Sequence, residues 1–165
     1  MSYPLKTSLG IALTLALSGH VAGQGVVVQH NLSLGLATTM AQATLAACRA
    51  QGFHTAAAVV DRAGQTLVLL RDEQATAQHL EMARRKAYTA RMFQITSMEF
   101  RDRTAKDPTL AGQRSIADIL PLGGGVPVRI GDETIGAIGS AGSPTQEADD
   151  GCAKAGLARA AELLK

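Results

Sequence analysis

Apolar and polar residues change their spacing several times along the chain, and these changes predict a protein of mixed helices and strands. Small and apolar residues recur every three or four positions over 33–51 and 76–94, which predicts two helices. Two other segments, 55–73 and 125–141, each have two apolar runs around a turn, as in a β-hairpin. A last helix is predicted at 143–164. This order favours an α+β fold in which an antiparallel sheet of two hairpins is flanked by helices.

Small polar residues predict where the helices begin. Ser33 is the expected N-cap of the first helix. Ser143 is the expected N-cap of the last helix, with Pro144 as its first residue and Gln146 completing a capping box. Between the second helix and the second hairpin, residues 97–120 are polar and broken by proline and glycine. A surface loop with a helical turn at its start is expected there.

The first residues differ in character from the rest. Residues 1–23 carry a lysine, then about a dozen apolar residues, then small residues, which is the order of a secretory signal peptide. The alternative is a buried first helix. Cleavage after Gly23 leaves a single domain, 24–165, that opens with a β-like run at 25–32. We therefore expect a periplasmic or secreted protein.

Cysteine content leaves two alternatives open. An oxidising compartment permits a disulfide between Cys48 and Cys152, but free cysteine is also an ordinary small core residue. Charge and hydropathy bear on two kinds of partner, nucleic acid and membrane. A formal net charge of +2 does not favour nucleic-acid binding. No stretch reaches the ~18 to 20 apolar residues of a membrane span.

Residues 122–144 contain seven glycines, but their spacing does not match a nucleotide-binding loop. The glycines lie within β-like runs, where glycine permits close backbone approach. One face of the last strand shows Gly136, Ile138 and Ser140. This face either leaves room for a flat ligand, bound beside Gly136 and Ser140, or allows close helix–sheet packing.

The second helix carries the most informative side chains. Its small buried stripe consists of Ala83, Ala87 and Ala90. Lys86 at the edge of this stripe can bury its stem and direct its ammonium to a ligand carboxylate or to a capping acid; the alternative is an ordinary lysine whose ammonium reaches solvent. His79 lies two turns earlier on the same edge and is a candidate ligand residue. Arg71 ends the preceding strand, a position from which a side chain often reaches a site.

Four segments of the chain resemble the GlcG/HbpS family, also called the haem-degrading domain family. They are "AVVDRAGQTLVLLRDEQA", "ARRKAYTARMF", "GGGVPVRIGDETIGAIGSAG" and "ADDGCAKAGLA", in the order typical of that family. The resemblance implies a profilin-like layer architecture, homo-oligomers and the binding of a small cofactor, haem first. It also implies that Lys86, Thr89 and Arg71 line the pocket. The family's usual "GAIGVSG" reads "GAIGSAG" here, so Ser140 and Ala141 depart from the pattern.

Three hypotheses follow. The leading one is an exported haem-binding protein that sequesters or scavenges this tetrapyrrole, with His79 as the iron ligand because neutral imidazole is the usual haem ligand. The second is an accessory module that binds the outer domain of a membrane sensor. The third is an enzyme that opens haem or acts on a small acid, using Lys86, Arg71 and an acid such as Asp149.

Overall fold

A computed structural model describes residues 25–164, and the proposed signal peptide lies outside these residues. In chain order, the elements are helix α1 (Leu34–Arg49), strands β1 (Ala56–Val60) and β2 (Thr66–Arg71), helices α2 (Ala77–Phe93) and α3 (Ser97–Lys106), a 3-10 helix (Pro108–Ser115), strands β3 (Gly125–Ile130) and β4 (Glu133–Ala141), helix α4 (Gln146–Ala160) and a short 3-10 helix (Ala161–Leu163).

The strands form one antiparallel sheet in the order β2-β1-β4-β3. Each predicted hairpin supplies two neighbouring strands, and the hairpins join where β1 pairs with β4. The turn of the first hairpin is held by Asp61, whose carboxylate accepts hydrogen bonds from the backbone N–H groups of Ala63 and Gln65. The predicted α+β fold is therefore confirmed.

Helices cover both faces of the sheet. The face formed by alternate residues of β1 and β4, among them Ala56, Ala58 and Ala137, packs against the alanine stripe of α2. The opposite face, with Val59 and Ile138, packs against α1 and α4. Since the strands contribute many alanines and glycines, the helices approach the sheet closely, and the core needs few aromatic residues.

The glycines of β3 and β4 serve this close packing. A Cβ atom at Gly139 would overlap the carbonyl oxygen of Ala83, and one at Gly125 would overlap that of Lys86. A Cβ atom at Gly136 would overlap the side chain of Leu32, which covers β4 at this glycine. Of the two interpretations of the glycine-rich stretch, close helix–sheet packing is seen at Gly125 and Gly139, whereas Gly136 packs against Leu32, which precedes α1.

Several predicted boundaries were wrong. The last helix begins after Thr145, whose hydroxyl accepts from the N–H of Ala148, and not after Ser143. Ser143 is unavailable as the N-cap because its N–H donates to the Asp149 carboxylate and its hydroxyl contacts Cys48 Sγ. The segment 97–120 contains α3 and a 3-10 helix, and residues 25–32 lie outside the sheet.

A disulfide bond between Cys48 and Cys152 links the end of α1 to α4, with both residues fully buried. The alternative of two free core thiols is therefore wrong. Each sulfur is close to polar groups. The hydroxyls of Ser140 and Ser143 lie 3.8 and 3.4 Å from Cys48 Sγ and are the donors, since a disulfide sulfur carries no hydrogen.

Candidate functional site

Lys86 forms a buried ion pair between α2 and α4. Its side chain is 1% exposed, and its Nζ lies 2.7 Å from Asp149 Oδ2 and 3.1 Å from the carbonyl oxygen of Ser140. Burial lowers the pKa of the Lys86 ammonium, and the negative charges of Asp149 and Asp150 oppose that shift. The structure thus pairs this lysine with an acid of α4 and not with solvent. Its ammonium contacts no open surface in this arrangement.

The glycines that precede β3 enclose this ion pair. Gly124 has φ +119°, a left-handed conformation that side chains disfavour, and a Cβ atom there would lie 3.1 Å from Lys86 Nζ. Its carbonyl oxygen accepts from the N–H of Ser140. The "GGG" sequence thus allows the chain to pass directly over the ammonium and to join the sheet edge.

Two other predicted site residues are also interior. Thr89 is fully buried, and its hydroxyl donates to Arg85 O at 2.8 Å and accepts from the N–H of Leu120 at 2.9 Å. Ser140 is fully buried beside the disulfide. Together with Lys86, these residues hold α2, α4 and the loop before β3 onto the sheet, and Gly136 is interior beside Leu32.

A polar cluster lies at the N-terminal end of α2, where β1 begins and β2 ends. Asp72 is 2% exposed, and its Oδ1 lies 3.0 Å from His54 Nδ1. Its Oδ2 accepts from Arg49 at 2.6 Å. A backbone N–H from Gln74, the Arg49 guanidinium and His54 together lower the pKa of Asp72 to about 2. Asp72 is therefore a stable anion that orients both neighbouring side chains.

His54 is the group of this cluster that faces solvent, with its side chain 39% exposed. Since Asp72 accepts only, the neutral imidazole carries its proton on Nδ1 and leaves the lone pair of Nε2 available. A carboxylate that accepts from the second ring nitrogen is the usual partner of a metal-binding histidine. His30 has a similar partner in Glu133, 2.8 Å from its Nδ1, but that carboxylate is 35% exposed, whereas the carboxylate that holds His54 is buried.

His79 lies at the same end of the sheet. A Cβ atom at Gly142 would lie 3.0 Å from His79 Nδ1 and 2.8 Å from the carbonyl oxygen of His54. His79 Nδ1 also accepts a long hydrogen bond, 3.4 Å, from the N–H of Thr76 and so completes a capping box of α2. Its Nε2 therefore carries the proton of the neutral ring.

Arg71 adds a cation to this end. Its guanidinium donates to the carbonyl oxygens of Asp72 and Ala75, and the residue is exposed. We call His54, Asp72, Arg49, Arg71 and His79 the histidine cluster. The structure brings the predicted residues His79 and Arg71 together there, and it places Lys86, Thr89, Gly136 and Ser140 in the interior.

Sequence reasoning missed His54 and Asp72 as site residues. It named Asp149 only as a possible acid of an enzyme, because nothing in its spacing shows that it contacts Lys86. His54 and Asp72 are 18 positions apart and meet because the first hairpin is antiparallel. The hairpin register was the available signal: Ala56 pairs with Arg71, so the preceding residues lie opposite Asp72.

Two cavities lie away from the histidine cluster. One, of about 390 Å³, is mainly apolar and lies between β3 and the end of α4, where it is lined by Pro127, Arg129, Leu157, Ala158, Ala161 and Leu164. The other, of about 210 Å³, lies beside the turn of the first hairpin. Within residues 25–164, no three His, Cys, Asp or Glu side chains are grouped closely enough to hold a metal ion. No helix in that range is long and apolar enough to cross a membrane.

Comparison with known proteins identifies the family. A curated relative, the uncharacterized 15.0 kDa protein in the dhaT-dhaS intergenic region of Citrobacter freundii, is 31% identical over 118 residues, which cover 70% of this chain and 83% of that protein. The crystal structure of HbpS is 39% identical with a TM-score of 0.78, covering 82% of this chain and 94% of HbpS. The PduOC:Heme complex has the same fold at 24% identity and a TM-score of 0.71, covering 78% of this chain and 94% of PduOC. Residues 32–158 match the family model "Haem degrading protein HbpS-like", and the chain therefore belongs to the HbpS-like family.

Proposed function

We propose that this protein is an exported haem-binding protein that sequesters or scavenges haem through the histidine cluster. The observation that carries the proposal is the His54–Asp72 pair, in a chain whose family model is described as haem degrading. Porphyrin supplies four nitrogen ligands to its iron, so one or two protein side chains suffice. The absence of a larger metal-ligand group within residues 25–164 is compatible with that requirement.

His54 fits the role of iron ligand better than His79. The Asp72 carboxylate fixes the His54 ring, and Nε2 is the atom left to coordinate. For His79 to coordinate through Nε2, its proton must move to Nδ1, which faces the N–H of Thr76. The weak capping bond would then be lost. His79 is accordingly the alternative ligand, or a second one on the other side of the iron.

The neighbouring cations suit the two carboxylates of haem. The Arg49 side chain is 57% exposed, although it is paired with Asp72 and Glu73. Arg71 is exposed and is bonded only to backbone oxygens, so its guanidinium keeps donors for a carboxylate. Apolar contact area is available from Phe53 and Leu80, which are partly buried at this end. Haem bound here would supply iron-based chemistry, while the chain itself supplies orientation and charge.

Export is part of the same proposal. Residues 1–23 have the order of a signal peptide, and the Cys48–Cys152 disulfide suits an oxidising compartment such as a periplasm or the cell exterior. N-terminal sequencing of the protein from culture supernatant and periplasm tests this point. We expect the mature chain to begin at Gln24, and an intact Met1 in every fraction would contradict export.

A hemin titration of the mature chain tests haem binding and locates the ligand. We expect a Soret band at one equivalent, a roughly 10–100-fold weaker affinity in Asp72→Asn, and loss of the coordinated spectrum in His54→Ala. His30→Ala is the matched control, because His30 is an exposed histidine at the other end of the sheet. No spectral change in the wild type would refute haem binding. Loss in His79→Ala but not in His54→Ala would assign the iron to His79 instead.

A second candidate function is haem degradation, which the description of the family model favours. Incubation of the haem-loaded protein with a reductant and oxygen separates the two functions. Degradation predicts a decay of the Soret band with tetrapyrrole cleavage products, faster than for hemin with the His54→Ala variant. A stable Soret band would leave sequestration. An interaction with a membrane sensor stays a prediction.

We also propose that copies of this chain associate through the 390 Å³ apolar groove between β3 and α4. β3 is an edge strand whose outer backbone groups have no partner strand, and such edges are usually covered. Leu157 and Leu164 line the groove while remaining partly exposed. Light scattering should report a homo-oligomer for the wild type and a smaller species for Leu157→Glu. A monomeric wild type would refute the association.

A further inference from the structure

The second cavity has the chemistry of an anion-binding site. It is lined by Gln29, Asn31, Arg62, Ala63 and Arg91, where the turn of the first hairpin meets the end of α2. His79 and Arg91 are twelve residues apart on α2, which places this cavity roughly 18 Å along the helix from the histidine cluster. It is therefore separate from the proposed haem site.

Arg91 is the least satisfied cation of the cavity. Its Nε is buried and has no hydrogen-bond partner. The negative charge that acts on it is that of Asp61, whose carboxylate is already engaged by two backbone N–H groups. Burial and the positive charge of Arg62 both lower the pKa of the Arg91 guanidinium, so the two arginines repel each other across the cavity.

The remaining groups complete a set of donors. Arg62 donates to Glu133, which also accepts from His30, so this one carboxylate is shared between two neighbours. Asn31 Oδ1 accepts from the backbone N–H groups of Leu32 and Arg62 at 2.9 and 3.1 Å. These bonds fix the orientation of the amide, and its NH₂ group remains as a donor.

We propose that this cavity, which we call the arginine cavity, binds a small oxyanion through Arg91, Arg62 and the amide of Asn31. Two guanidinium groups that lie close together and a buried unpaired donor are stabilised when an anion neutralises them, and the planar guanidinium matches carboxylate and phosphate oxygens. At about 210 Å³ the cavity is smaller than the ~300–1,000 Å³ of sites for drug-sized ligands, which favours a small anion. Phosphate and a small carboxylate share this chemistry.

Calorimetric titration with inorganic phosphate, and in parallel with sulfate and acetate, tests the proposal at ionic strength matched with sodium chloride. We expect at least one oxyanion to bind the wild type, and Arg91→Gln to weaken that binding by roughly tenfold or more. The melting temperature should rise by about 3–6 °C at ten times the dissociation constant. Arg159→Gln is the matched control, since Arg159 is exposed on α4 away from the cavity.

The outcomes are distinct. Arg91→Gln removes no side-chain hydrogen bond among the described residues, so we expect it to fold, which far-UV circular dichroism checks. Equal affinity in Arg91→Gln and wild type, or no response to any oxyanion beyond that to chloride, would overturn the proposal. His54→Ala should leave oxyanion binding unchanged, so failure of the haem proposal and failure of this one can be told apart.

Discussion

The disulfide between α1 and α4 allows a quantitative test of how the structure is stabilised. Cys48 and Cys152 are separated by 104 residues, so their bond closes a long loop in the unfolded chain. Loop-closure entropy gives an upper value of about 4.7 kcal/mol for a loop of ~100 residues, while native disulfides usually contribute about 2–4 kcal/mol. We therefore expect reduction to lower the free energy of unfolding by about 2–5 kcal/mol.

Equilibrium urea unfolding, followed by far-UV circular dichroism with and without dithiothreitol, measures this loss. With a slope of about 2 kcal/mol/M, the midpoint should fall by roughly 1–2.5 M. Reduction is a cleaner perturbation than Cys48→Ala with Cys152→Ala, because both sulfurs are buried and alanine would also leave a cavity. The double variant is the control and should not respond to dithiothreitol. Midpoints that agree in the oxidised and reduced wild type would refute the reasoning.

Three further changes test the core and the polar cluster. Lys86→Met should destabilise the protein by about 3–5 kcal/mol in urea unfolding, since it leaves Asp149 buried and unpaired. Adding Asp149→Leu to this variant should restore part of the lost stability. An unchanged midpoint in Lys86→Met would contradict the buried pair. Because the pKa of Asp72 is lowered to about 2, its contribution to stability is complete above pH ~4 and is lost as the pH falls toward 2. Thermal melts of Asp72→Asn should therefore vary less with pH than the wild type in this window, and parallel pH profiles would exclude that contribution. Gly139→Ala should lower the free energy of unfolding by about 1–3 kcal/mol, because its Cβ would push α2 away from the sheet. Gly151→Ala, in an open position on α4, should raise the free energy of unfolding by about 0.5–1 kcal/mol. Similar unfolding midpoints for both variants would argue against close packing at Gly139.

The fold was largely predictable because its signals are local. The two hairpins have clear apolar runs around turns, and α2 has a stripe of alanines with a capping threonine at its start. The start of α4 could not be predicted in the same way. Ser143 and Thr145 are both good N-caps by sequence, and the contacts of Ser143 with Asp149 and Cys48 decide between them. Those contacts join residues from three separate elements.

The candidate site was less predictable, because it also depends on contacts between residues of separate elements. Arg71 was named because it ends a strand, and His79 because it lies on the same edge of α2 as Lys86. The partner of Lys86 lies on another helix, so the residue spacing within α2 could not indicate the contact between Lys86 and Asp149. The pairing of His54 with Asp72 depends on hairpin register, which apolar runs place only to within a few residues.

The strand order has a consequence for how the chain reaches this fold. The two central strands, β1 and β4, come from opposite ends of the domain, and their ladder runs from the Ala56–Ala141 pair to the Val60–Ala137 pair. Contacts between such distant residues form slowly, because a long loop must close before they are gained. During synthesis the first hairpin, α1 and α2 therefore have no second hairpin to pack with until β4 has left the ribosome. Such a delay suits a chain that is translocated unfolded. A fragment ending before Glu133 lacks β4, so the edge of β1 is open and the fragment should aggregate through it unless that edge is covered.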